Sequence, residues 1–122
     1  MKLKLPERRR FVRVETPLKV NVRCGEITAD VVTKNISPVG MRFEIPTKLD
    51  DSASLDMRLF LPDMELPIEL AGRVVWQTRT SLEDNAPFDV GIEITRIQDR
   101  NKNIFLKFLC DILYRSIYRE RT

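Results

Sequence analysis

The sequence predicts a mainly β protein: six antiparallel strands forming a barrel or a sandwich, followed by one C-terminal helix. Three observations carry this expectation. Six short runs alternate apolar and polar residues, turn-forming residues separate them, and the spacing becomes helical after residue 98. Period-two alternation gives each strand one apolar face. Several such strands bury those faces by closing on themselves or by stacking as two sheets. At 122 residues the chain suits one domain, 1–122, with a modest core.

An extended arm, residues 1–14, comes first, because Pro6 and the charges around it disfavour a helix. Residues 1–13 hold six basic side chains (Lys2, Lys4, Arg8, Arg9, Arg10 and Arg13) against one acidic, whereas the remainder holds 15 basic and 17 acidic. The formal net charge of +3 is therefore a basic arm on a slightly acidic body. An arm of this kind is either solvated or matched to an anionic partner.

The body, 16–97, begins with Leu18, Val20, Val22 and Cys24 alternating with Lys19, Asn21 and Arg23, a strand ended by Gly25. Residues 27–33 form a second strand, hairpin-paired with the first, and 34–40 read as a turn-rich loop. Met41, Phe43 and Ile45 make a third strand, stopped by Pro46. After a polar connection at 47–53, Leu55, Met57, Leu59 and Leu61 supply a fourth, cut at Pro62. The fifth, 68–77, places Ile68, Leu70, Val74 and Trp76 on one face. Following a polar loop at 78–86, Phe88, Val90, Ile92 and Ile94 form the sixth.

The helix, 99–119, has Asp99 as its expected N-cap. Ile104, Phe105, Phe108, Leu109, Ile112, Leu113 and Ile117 share one face, and Arg115, Arg119 and Arg121 suit the negative end of the helix dipole. Leu106, Cys110 and Tyr114 widen the apolar surface. Either a few apolar residues stay exposed beside the packed stripe, or the surplus is a dimer or partner interface.

Several function classes drop out. The chain has no histidine, which removes histidine triads, imidazole bases and imidazole metal sites, and it carries neither a nucleophile elbow nor a phosphate-gripping GxxxxGK[ST] loop. It reads as a non-enzyme without a cofactor. Cys24 and Cys110 are too few and too distant for a metal site or a disulfide framework, and both read as buried reduced thiols. No apolar run reaches the ~20 residues of a membrane span, and the N-terminus lacks a signal-peptide stretch, so a cytoplasmic location is the default. A nucleic-acid-binding barrel would place aromatics on an exposed strand face. Phe43, Trp76 and Phe88 are in phase with the core, and Phe60 is isolated.

Two segments carry possible chemistry. Arg9 and Arg13 frame an RxxxR spacing with Arg8 just before it, and guanidinium groups grip phosphates or guanine edges with paired hydrogen bonds. Asn35-Ile36-Ser37-Pro38-Val39-Gly40 is a plain turn, or a short loop presenting an amide and a hydroxyl to a ligand. Together, in this order, they resemble the PilZ domain family of bacterial cyclic di-GMP receptors. Arg9 to Arg13 matches the first family motif, and Asn35, Ser37 and Gly40 match the [D/N]xSxxG motif. Gly72 to Trp76 and Val90 to Ile94 agree more weakly.

The resemblance implies a six-stranded PilZ-type barrel whose arm folds over bound cyclic di-GMP. Arg8, Arg9, Arg13, Asn35, Ser37 and Gly40 are the implied ligand residues, with Arg10 and Arg42 as further candidates. Arg8 before the RxxxR pair implies two ligand molecules per chain. Asn at position 35, where Asp is common, lacks the charge for the strongest bonds to guanine N–H groups. The expected mechanism is ordering of a free arm by ligand, with the signal passed to an effector protein through the arm or the helix face. A PilZ-like adaptor that works through protein contacts alone is the rival reading.

Overall fold

The computed structural model of the chain describes residues 13–121, with side chains through Arg115. Six strands, β1 (Lys19–Cys24), β2 (Ile27–Ser37), β3 (Gly40–Ile45), β4 (Ser54–Phe60), β5 (Ile68–Arg79) and β6 (Phe88–Ile97), precede one helix, α1 (Asp99–Arg121). The strands close in the order β1-β2-β3-β6-β5-β4, every neighbouring pair antiparallel. The barrel alternative holds and the sandwich does not. Closure gives every strand two hydrogen-bonded neighbours and leaves no free edge to template aggregation.

Alternation decides what fills the barrel. Val20, Val22, Met41, Phe43, Ile45, Leu55, Met57, Leu59, Ile68, Val90 and Ile92 all point inward and are buried. Each fully buried side chain of this size contributes on the order of 2 kcal/mol. Leu49 is buried too, although it lies in the 47–53 segment that composition marks as polar connection. The Gln77 side-chain amide holds it there, accepting from the Leu49 N–H at 3.1 Å and donating to the Leu49 carbonyl. A leucine whose backbone is thus satisfied can plug the core from a loop.

The larger departure is β2. Residues 34–37 are strand rather than loop, and the turn shrinks to Pro38 and Val39. A register shift between Thr33 and Asn35 makes Lys34 the extra residue of a bulge, after which Asn35 pairs with Arg42, Ile36 with Met41 and Ser37 with Gly40. Ile36 is completely buried, and this keeps the extension attached. Along the same edge Val14 exchanges two backbone hydrogen bonds with Ile36, at 2.8 and 2.9 Å.

Thr33 secures the chain between that bridge and β1. Its Oγ1 accepts from the Leu18 N–H at 2.9 Å and donates to the Thr16 carbonyl at 2.6 Å, while its own N–H donates to the Leu18 carbonyl at 2.9 Å. Polar Thr33 is therefore buried yet fully satisfied.

At the other end, Asp99 lies inside the first helical turn. The Gln98 carbonyl accepts the first helical bonds, from Asn101 and Lys102, so Gln98 rather than Asp99 flanks the helix. Phe105 and Leu109 are buried, with Phe108 and Ile112 packed against the core, whereas Ile104 is 42% exposed. The buried stripe is narrower than the sequence pattern, and β5 is the strand that α1 touches most. Cys110 is exposed on the opposite side, contrary to the expectation of a buried thiol; Cys24 is half-buried, and both are free. Burial, with a smaller push from Asp50, raises the Cys24 thiol above its ordinary range. Among the described residues no helix is long and apolar enough to cross a membrane.

Replacing Thr33 by Val keeps the shape of the side chain but leaves the Leu18 N–H without an acceptor. A cost of about 1–3 kcal/mol is expected, read as a lower urea midpoint with an unchanged slope, whereas Thr33→Ser retains most of the stability. Equal midpoints for wild type and Thr33→Val would show that the clasp contributes nothing.

Candidate functional site

The bulge at Lys34 turns Asn35 to the outer face, and there the two sequence motifs meet. Arg13 Nη1 donates to Asn35 Oδ1 at 2.9 Å, across 22 residues of sequence. The Val14–Ile36 bridge sets the backbone that makes this possible, since it holds Arg13 beside the end of β2. Gly40 lies under the same guanidinium: a Cβ at this position would sit 3.7 Å from Arg13 Nη2 and only 2.6 Å from the Ile92 carbonyl oxygen. Any larger residue would push β3 away from β6.

Ser37 plays a different part. It is 1% exposed, and its hydroxyl accepts from the Val39 N–H at 3.2 Å and donates weakly to the Gly40 carbonyl at 3.5 Å. It braces the Pro38–Val39 turn, which is also tied to β6 by a 2.8 Å bond from the Ile94 N–H to the Val39 carbonyl. Arg8, Arg9 and Arg10 lie outside the described residues.

From Asn35 a continuous row crosses the barrel. Asn35 pairs with Arg42, Arg42 with Gly91, and Gly91 with Trp76. Trp76 is 43% exposed, which overturns its assignment to the core. A second bulge is the reason: Val74 faces Ile92, Val75 is the extra residue, and Trp76 then opposes Gly91 on the outer face. The adjacent apolar pair Val74-Val75 is the one break in alternation that could have signalled this. The indole lies flat across Gly91, where an added Cβ would come within 2.1 Å of Nε1. A glycine is required there by the space the ring occupies.

Arg42 completes the row. Its Nε donates to both Asp89 carboxylate oxygens, at 2.9 and 3.0 Å, and Nη2 donates to Oδ2, while the guanidinium carbon sits 5.8 Å from the Trp76 ring centre. Lys34 adds contacts to Glu44 at 3.1 Å and to Asp89 at 3.7 Å. The hydrogen bonds from Arg42 hold the Asp89 carboxyl below its ordinary range, and the same bonds raise Arg42. Beside this row runs another, in which Ser37 pairs with Gly40, Gly40 with Glu93, and Glu93 with Arg73, the last two joined by a 3.6 Å ion pair.

The outcome is a shallow platform with a guanidinium at one end (Arg13), an amide beside it, a second guanidinium at its centre and an indole at the far end. Such a surface suits a ligand combining negative charge with flat aromatic rings: arginines take phosphate or base edges, and indoles stack on bases. Among the described residues no group of His, Cys, Asp and Glu could hold a metal ion.

Known proteins agree with the architecture. A model of the PilZ domain family matches residues 7–110. No curated protein sequence matches. Bacillus subtilis MotI/DgrA, an inhibitor of motility, superposes with a TM-score of 0.72 at 20% identity over 94% of this chain and 54% of its own. K. pneumonia MrkH in complex with c-di-GMP gives 0.73 at 16% identity over 94% and 57%. The PilZ domain of Escherichia coli YcgR with c-di-GMP gives 0.66 at 9% identity over 95% and 99%. The chain thus spans about half the length of MotI/DgrA and MrkH, and these likenesses establish the fold.

Gly91→Ala should leave the barrel folded but displace the indole. The expected result is a shifted tryptophan emission and a loss of about 1–3 kcal/mol from crowding, measured by fluorescence and thermal melting. Emission identical to wild type would show that Trp76 does not rest on Gly91.

Proposed function

This chain belongs to the PilZ domain family, and we propose that it is a cyclic di-GMP receptor that acts by binding, without catalysis. The observation that carries the reading is the seating of Arg13 on Asn35 directly over Gly40, which unites the arm motif with the second motif on one surface. Cyclic di-GMP offers two phosphates and two guanines. Arg13 supplies a phosphate or guanine contact from the barrel, and Arg8 and Arg9 supply further ones from the arm. Asn35 reads a guanine edge, and Gly40 keeps the approach open. Ser37 serves the site by bracing the turn. Trp76 and Arg42, at the far end of the same row, offer a base-stacking face.

In this mechanism the arm closes over the ligand, its positive charge is neutralised, and an effector protein reads the rearranged surface. Arg8 adds contacts that favour a second ligand molecule, giving two per chain, with Arg10 the further candidate in the arm. A homodimer through α1 and a cytoplasmic location belong to the same reading. The many cations make affinity salt-sensitive.

Trp76 is the single tryptophan of the chain, so its emission reports ligand at the platform directly. Titration with cyclic di-GMP should quench it, and calorimetry at saturation should give two ligands per chain; one per chain would overturn the stoichiometry. Arg13→Ala should weaken binding by roughly 2–4 kcal/mol, on the order of 30- to 1,000-fold. No binding by wild type below about 100 μM, roughly −5.5 kcal/mol, would assign the fold to protein contacts instead.

A further inference from the structure

Arg42 is unusual among the cations of this surface in being held by a fork rather than a point contact. Asp89 engages it through Nε and Nη2, which directs Nη1 and its two N–H groups away from the carboxylate. Asp89 stands on β6 opposite Glu44, one strand from Arg42, and its side chain is 14% exposed against 40% for Arg42. The less exposed partner is the anchor and the more exposed one is the tool. Without that anchor, Arg42 would be a long side chain with many rotamers to order at binding.

We propose that Asp89 is a positioning residue for the ligand platform: it holds the Arg42 guanidinium over the Trp76 ring and aims Nη1 outward, so that an incoming guanine meets a preset guanidinium–indole pair. This rests on the cyclic di-GMP reading and deepens it. Two physical consequences separate it from a merely structural ion pair. Asp89 neutralises Arg42, so Arg42 acts by its plane and its directed N–H groups more than by net charge, and Arg13 with the arm supplies the charge for the phosphates. Fixing the side chain in advance also removes the ordering cost at binding. Lys34, in contact with both Asp89 and Glu44, keeps the carboxylate from swinging to another partner.

The sign of one experiment decides. Asp89→Asn removes a negative charge from a site for an anion, and electrostatics alone would make binding tighter. Loss of positioning makes it weaker, and we expect a fall of at least about tenfold in cyclic di-GMP affinity, measured by calorimetry on protein with a cooperative thermal melt. The Arg42 Nε–H resonance should exchange slowly with water in wild type and rapidly in the variant, which tracks the fork itself. Affinity equal to or tighter than wild type in Asp89→Asn would overturn the inference while leaving the receptor reading intact. Should that variant lose its cooperative melt, Arg42→Lys decides: it keeps the charge but lacks the fork and the plane. A drop of at least about tenfold supports positioning, and a smaller change overturns it. A wild type that does not bind cyclic di-GMP at all would overturn the receptor reading, and the role of Asp89 with it.

Discussion

Closure of the sheet is the constraint on which the other features depend. Once six strands form a ring, each register is held on two sides, and a one-residue change moves every following side chain to the other face. Extra residues are then the means by which a side chain changes face. Lys34 in β2 and Val75 in β5 are such residues, and the side chains they redirect, Asn35 and Trp76, are two of the four positions in the candidate row. The candidate row is thus shaped by two of the barrel's register shifts, and bulges tend to serve function in such places.

The approach of Arg13 to this row is also a backbone matter. Thr33 takes up the polar groups of Thr16 and Leu18, and the Val14–Ile36 bridge continues the edge that β1 leaves. The backbone at Val14 is therefore fixed by its bridge to Ile36, which holds Arg13 beside Asn35.

Electrostatics divides the two guanidiniums of the row by task. Arg13 bonds only a neutral amide among the contacts described, so no carboxylate among them offsets its charge. Arg42 shares its charge with Asp89 and Lys34 with Glu44, which makes the centre of the platform nearly neutral and geometrically strict. The surface thus combines a charged contact with a directed, nearly neutral one. The glycines at 40 and 91 supply the remaining requirement, room for a guanidinium and an indole to lie close to the backbone.

Much of the protein was legible in its sequence. The succession of six strands, the first hairpin, most inward residues and the closing helix follow from alternation and turn chemistry, because local periodicity is what a half-buried strand or helix requires. The pairing of Arg9–Arg13 with Asn35, Ser37 and Gly40 pointed to one family, whose model matches residues 7–110. What alternation could not supply was which face a residue occupies after a bulge, since an extra residue is set by pairing with a neighbouring strand and not by the residue itself. Hence Trp76 was assigned to the core and lies outside, and residues 34–37 were assigned to a loop and continue a strand. The partnership of Arg42 with Asp89, 47 residues apart, had no local signal at all. Sequence determined the strands, the core and the motif residues; only closure of the barrel decided which of those residues share the outer surface, because contact between distant strands exists only after the ring has formed.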